Sequence, residues 1–336
     1  MLTKRQNMLE TIKGGHPDRF VKQFEALGIV YGTPIKDNAP KLGEPPVQDS
    51  WGVWRVWPEG VVSNFPVHDD EHVVVKDIEH WQDYVKGPSV KFSEAEWEPF
   101  IAWAESIDRN EQFVMAARIP GLFERAHFLC EIQKTLIYFY EYPDELEELL
   151  KYIKEWNLEY AEAVCDHLKP DGVFSHDDWG TKISTFMAPD MFGEFIYEPQ
   201  KEIYQYYKDH TSEGLVVHHS DTYGVTLIPY MIDMGIDVWQ GCLQTNDLPA
   251  VIEKYGDKIT FMGGIESGEI DREDATEEEI EAHVLKICEE CGPMHYIPCC
   301  TRGGAGSLYE HVYPTVDSKI DLATELMKEK HGWFTY

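Results

Sequence analysis

From about residue 110 onward, the chain alternates between two hydrophobic periods. Short β-rich runs occur at Phe113–Arg118, Gly172–Asp178, Leu215–Asp221, Asp237–Gly241, Ile259–Ile265 and His295–Cys300. Most are followed by apolar residues at helical spacing. Ala188-Pro-Asp opens one helix, running to about Asp209, with proline where a helix start tolerates it. Thr222–Met234 forms another and stops at Gly235, a residue suited to a left-handed cap. Asn246-Asp-Leu-Pro starts a third. Thr276-Glu-Glu-Glu starts a fourth, with acid where the helix dipole favours it, and that helix reaches about Cys291 before Gly292-Pro293. Strand-then-helix repetition predicts a parallel sheet. Periodicity alone leaves a closed barrel and an open sheet both possible.

Residues 1–110 are rich in tryptophan and proline and are expected to supply helices, loops and the remaining strand elements. Without internal repeats, low-complexity tracts or a clear linker, residues 1–336 read as a single domain, less regular in its first part and with clear βα repeats over 111–336. The length suits a one-domain barrel. Hydrophobic residues make up 43%, enough for a large core.

Charge narrows the partners. Lys and Arg total 29 against 61 Asp and Glu, a formal charge of −32. Such a surface argues against binding a phosphate backbone or anionic lipid. Without an apolar run of roughly 20 residues or a signal-peptide core, the chain reads as soluble. Seven scattered cysteines suggest free thiols in a reducing cytoplasm.

In a parallel α/β architecture the site lies beyond the carboxyl ends of the strands. Here those ends read His176-Asp177-Asp178, His218-His219-Ser220-Asp221, Gln240-Gly241-Cys242, Gly263-Gly264-Ile265-Glu266 and Cys299-Cys300-Thr301-Arg302. Imidazoles, carboxylates, thiols and a guanidinium thus converge on one rim.

These strand ends carry a resemblance. Val217-His-His-Ser-Asp-Thr-Tyr-Gly resembles the His-x-Cys-Gly strand end of uroporphyrinogen decarboxylase-like methyltransferases. Pro17-Asp-Arg, His176-Asp-Asp-Trp-Gly, Met234-Gly-Ile-Asp and Ile297-Pro-Cys-Cys-Thr-Arg-Gly-Gly extend it along nearly the whole chain. The resemblance implies a (β/α)8 TIM barrel of the uroporphyrinogen decarboxylase type with an N-terminal extension. The haem-pathway decarboxylase itself is a poorer match, since Trp51-Gly-Val-Trp-Arg-Val-Trp-Pro has one arginine where that enzyme carries paired ones. The corrinoid-dependent methyltransferase components are closer, with the aryl-ether O-demethylases nearest from the Pro298-Cys299 and Arg302-Gly303-Gly304 region.

That branch implies a zinc ion polarising the heteroatom, a corrinoid carried by a partner protein, and a small aromatic methyl ether as donor. His219 takes the place of the family histidine, and Asp221 stands where the cysteine would be. Zinc accepts N, O and S ligands, and a carboxylate in place of a thiolate suits activation of an ether oxygen. Glu198 lies twenty-one positions before His219, matching the Glu–His spacing of the aryl-ether branch. The branch's upstream acid has no match; its position is Ile183, so Asp177 or Asp178 would substitute. Cys299 or Cys300 supplies the late thiol, and since neighbours on a strand face opposite ways, at most one points inward. Without a metal, His219 and Asp221 would form a hydrogen-bonded pair.

Phenolate is a poor leaving group, so coordination or protonation of the ether oxygen must help it depart. The expected catalytic set is His219, Asp221, Asp177, Asp178 and Arg302. One of the two aspartates could instead cap the following helix, and His176 could be structural. Arg302, among glycines, could pair with a substrate carboxylate, with the corrinoid, or with a surface acid. Trp54, Trp179, Gln240 and Arg302 are the expected substrate contacts; Trp51, Trp54 and Trp57 could equally pack over the barrel mouth. Cys288-x-x-Cys291 falls at a helix end with no second pair and reads as structural. Two other functions stay open: a metal-free decarboxylase leaning on Arg302 and Asp177/Asp178, and a non-catalytic subunit that binds the corrinoid protein.

Overall fold

The computed structural model describes residues 1–61 and 63–336. Seven strands form one parallel sheet in chain order: β1 (Leu27–Val30), β2 (Phe113–Arg118), β3 (Gly172–His176), β4 (Leu215–His219), β5 (Val238–Cys242), β6 (Thr260–Ile265) and β7 (Tyr296–Cys300). The sheet curls into a barrel of the TIM type. Its lumen is filled by every second residue, including Ile29, Met115, Phe174, Val217, Val238, Met262, Ile297 and Cys299. The intervening residues, such as Val173, Val216, Trp239, Phe261 and Tyr296, pack outward against the helices. Both faces of each strand are therefore buried, which is why the strands read as near-continuous apolar runs.

Six of the seven strands match the sequence runs, but β3 and β4 stop two residues early, at His176 and His219. Asp178 and Asp221 thus sit in the loops above. β1 lies in the irregular N-terminal part, where its four residues gave too short a pattern to recognise.

The helices follow as expected, with differences at their starts. Thr276 caps the helix Glu277–Cys291 through a reciprocal box with Glu279. The helix before β5 is shorter than its apolar pattern: a short turn at Val225–Leu227 leads into Ile228–Asp233, and Gly235 follows with φ +78°. After β3, a wide turn at Gly193–Tyr197 joins Pro189–Phe192 to Glu198–His210. Among the described residues, no helix is long and apolar enough to cross a membrane. All seven cysteines are buried and unpaired.

No ladder joins β7 to β1 among the described residues; Gln23 spans the gap. Its N–H donates to the Pro298 carbonyl at 3.2 Å and its Oε1 accepts from the Cys300 N–H at 3.2 Å, while Nε2 reaches Asp317 at 2.8 Å. A small antiparallel sheet of Val47–Gln48, Trp54–Val56 and Phe65–Pro66 contributes Arg55, Phe65 and Pro66 to the cavity at the strand carboxyl ends.

Gln23 is almost fully buried, so Gln23→Ala leaves the Cys300 amide without an acceptor. That substitution is expected to lower stability by about 1–3 kcal/mol, read from urea unfolding. An unchanged midpoint would show that the seam is held elsewhere.

Candidate active site

Strand register builds the site. His176 pairs with His219, and His219 pairs with Gln240, so three polar residues stand side by side on neighbouring strands. They share the inward parity of Phe174, Val217 and Val238. The row forms the top layer of the lumen.

The outer partners of both imidazoles fix how they present themselves. His219 Nδ1 contacts Gln240 Oε1 at 2.5 Å. The Gln240 amide cannot be turned round, because its Nε2 donates to the carbonyls of Cys300 and Arg302 at 3.2 and 3.1 Å. An acceptor facing Nδ1 requires the proton on Nδ1, which leaves the Nε2 lone pair free. Burial, then the neighbouring His176 charge, pulls the His219 pKa down to about 4, so the ring is neutral. Gly303 and Gly241 permit this seat: a Cβ on Gly303 would lie 2.9 Å from His219 Nε2, and Gly241, at φ +93°, lies beside the other edge of the ring.

His176 is held in the same way by an acid. Its Nδ1 meets Glu124 Oε2 at 2.7 Å. Burial pushes Glu124 up to about 7 and penalises a charged His176, but the surrounding carboxylates, Glu124 first and then Asp178 and Asp221, together outweigh that penalty and raise His176 to about 10. We take the pair as charge-assisted, with Nε2 of His176 directed inward. Donor atoms of His176, Asp178 and His219 all lie within 4.8 Å of one another. Two imidazoles backed by a carboxylate and a carboxamide, with one free carboxylate beside them, are the donor set and outer support that zinc takes.

Asp221 stands next to this group. Its backbone N–H donates to Asp178 Oδ1 at 3.2 Å, and its carboxyl is open to the cavity. Confinement within the cavity, then the Asp178 charge, pushes its pKa well up. Its carboxyl thus takes up a proton more readily than an ordinary aspartate.

The other expected residues divide. Asp177 caps a helix: its carboxylate accepts from the N–H groups of Phe123 and Glu124 at 3.1 and 2.8 Å, so it positions Glu124 and is removed from the catalytic set. The helix capped, Leu122–Cys130, follows β2 rather than β3. Glu198 is exposed at the start of Glu198–His210, on the outer helical layer, and is not brought to the cluster. Cys299 points into the lumen, with its Sγ 3.8 Å from Gln240 Nε2; Cys300 packs outward. Neither thiol joins the candidate ligand group. Trp179 turns outward, stacking on His218 at 4.1 Å, and Trp54 packs edge-on to His72. Neither lines the cavity, and Trp51 packs against Trp156. Arg302 does line it and has no carboxylate partner among the described residues.

The cavity has a volume of about 730 Å³. Phe65, Phe128 and Phe186 line it beside the polar groups. Sequence reading missed Glu124, an unremarkable acid in a helix, and placed His176 second to His219.

A profile of the uroporphyrinogen decarboxylase (URO-D) family matches residues 91–299, more than half of the chain. The chain belongs to that family. Its fold resembles that of a methyltransferase from Methanosarcina mazei, with a TM-score of 0.64 and 14% identity over 97% of this chain and 99% of that one. D-psicose 3-epimerase from Clostridium cellulolyticum H10 overlaps more distantly, with a TM-score of 0.36 and 9% identity over 71% and 84% of the two chains. No curated sequence matches the chain significantly.

In metal-free protein, nitrogen-resolved NMR of the imidazoles should find His219 as the neutral Nδ1–H form from pH 8 down to about 5. Between pH 6.5 and about 4 the unfolded chain takes up a proton that folded His219 refuses, so this residue's contribution to stability falls as pH falls. A His219 ring that titrates near 6.5 would contradict the buried Gln240 contact.

Proposed function

We propose that this member of the family is a methyltransferase that takes a methyl group from a small aryl methyl ether and passes it to a corrinoid held by a partner protein. The observation that carries the reading is the inward group of His176, Asp178 and His219 with Asp221 beside it. Zinc bound there would act as a Lewis acid on the ether oxygen. His219 would offer a free nitrogen as it stands, and His176 would become a donor only as zinc displaced the inward proton it carries beside Glu124, with Asp178 adding a carboxylate.

The chain's own residues do the rest. Gln240 and Glu124 hold the imidazoles in their ligand-ready tautomers. Asp221, whose carboxyl holds a proton more readily than usual, would give it to the departing oxygen as the carbon–oxygen bond breaks; a reduced corrinoid, when docked, would supply the electron pair for the new bond to methyl. Phe128 and Phe186 give the aromatic ring an apolar seat. The fold likeness to the Methanosarcina mazei methyltransferase is in keeping with this reading. So is the cavity wall, where Phe65 and Ile119 are 49% and 44% exposed, an apolar edge suited to a docking partner. Arg302 stands on that wall beside Tyr31 and is assigned to the docked corrinoid.

The metal-free decarboxylase is less well supported, because Asp177 spends its carboxylate on backbone amides.

The test is methyl transfer from a series of aryl methyl ethers to reduced cobalamin, followed by its absorbance. Wild type should turn over. Asp221→Asn should lose about 10²–10⁴-fold with phenols of high pKa and far less with nitrophenols, which leave without a proton. Equal losses across the series would remove Asp221 as the acid, and no turnover by wild type would sink the reading.

A further inference from the structure

The cavity has a second polar pole that the proposed chemistry does not use. One helical turn beyond Glu124, on the helix Leu122–Cys130, stands His127, followed by Phe128. Arg55 and Asn64, from the small N-terminal sheet and its connection, and His68, just after it, complete this wall.

Three buried polar atoms lack any hydrogen-bond partner here: Arg55 Nε, Asn64 Oδ1 and His127 Nδ1. Buried polar groups are seldom left unpaired, since each costs the desolvation that a partner would offset. Two of the three, Arg55 Nε and His127 Nδ1, mark a place where an accepting group on a ligand supplies the missing bonds, with the His127 proton on Nδ1; Asn64 Oδ1 needs a donor instead.

The charge of that ligand follows from Arg55. In a chain with 61 acidic residues, Arg55 has no carboxylate partner among the described residues; its guanidinium instead lies 5.5 Å from the Phe128 ring centroid. Arg125, by contrast, is paired with Asp49 at 3.3 Å. His127 faces the exposed His68 with ring centroids 6.2 Å apart, and burial holds its pKa down to about 3, so it offers a neutral imidazole. An unpaired guanidinium over an aromatic face, with a neutral imidazole beside it, suits a planar carboxylate attached to an aromatic ring.

We propose that Arg55 and His127, with His68 beside them, form a recognition subsite for the carboxylate of an aromatic methyl donor, on the cavity wall one helical turn from Glu124. The proposal rests on the methyltransferase reading for the donor class, but binding alone tests it.

Calorimetric titration with 4-methoxybenzoate and with methoxybenzene, without corrinoid, gives the preference for charged over neutral donor. Wild type should prefer the benzoate. Arg55→Met, which keeps the stem over Phe128, should cut that preference about ten- to a hundredfold, as expected for a charged hydrogen bond. His127→Leu should cut it several-fold, and neither should change methoxybenzene binding or the thermal midpoint. Arg302→Met should leave the preference intact. The proposal is overturned if Arg55→Met keeps the wild-type ratio, if the ratio follows Arg302 instead, or if wild type binds neither probe. An Arg55-dependent preference without methyl transfer would fault the reaction and leave the subsite standing. Turnover with an Arg55-independent preference would do the reverse.

Discussion

The site depends on the register of three adjacent parallel strands. Because β3, β4 and β5 align His176, His219 and Gln240, their side chains emerge together on the inner face. A shift of one residue in any strand would turn its member outward against the helices. Ser175 and His218 show the other outcome: they are the paired neighbours one step back, facing out, where Ser175 accepts from the buried Arg118 and His218 bonds to Tyr204. Adjacent histidines on one strand thus serve different purposes. His218 ties the helix Glu198–His210 to the barrel, and His219 faces the cavity.

Hydrogen bonds one step removed turn this row into a coordinated group. Gln240 is fixed by two carbonyls from the end of β7, so the last turn of the barrel sets the proton on His219. Asp177 fixes the amides of Phe123 and Glu124, so the loop after β3 sets the acid that holds His176, a residue of that same strand end. Neither support touches the cavity centre. Both consume buried hydrogen-bonding capacity that would otherwise be costly, and both are paid back by rigidity at the donor atoms.

The barrel was largely legible because six strands carried apolar runs and five of them ended in polar residues. The site was less so. His219 followed from its position, and Asp221 from its spacing to it. His176 was ranked low because a strand buried on both faces shows no alternation from which to read direction. Glu198 matched a family spacing, yet its place on an outer helix takes it away from the lumen, and spacing along the chain carries no such direction. Glu124 has no local signature, since its role comes from folding β2's helix against the end of β3. The tryptophans were judged by type alone, whereas Trp179 follows Asp178 and packs outward onto His218.

We propose that an inward pair of imidazoles and a carboxylate, rather than the late cysteines, would hold the metal. X-ray absorption at the zinc edge of zinc-loaded protein measures this directly. The expected shell is nitrogen and oxygen alone at about 2.0–2.2 Å, with two imidazoles. A sulfur scatterer at about 2.3 Å would place Cys299 or Cys300 on the metal and contradict it, as would failure to retain zinc at all.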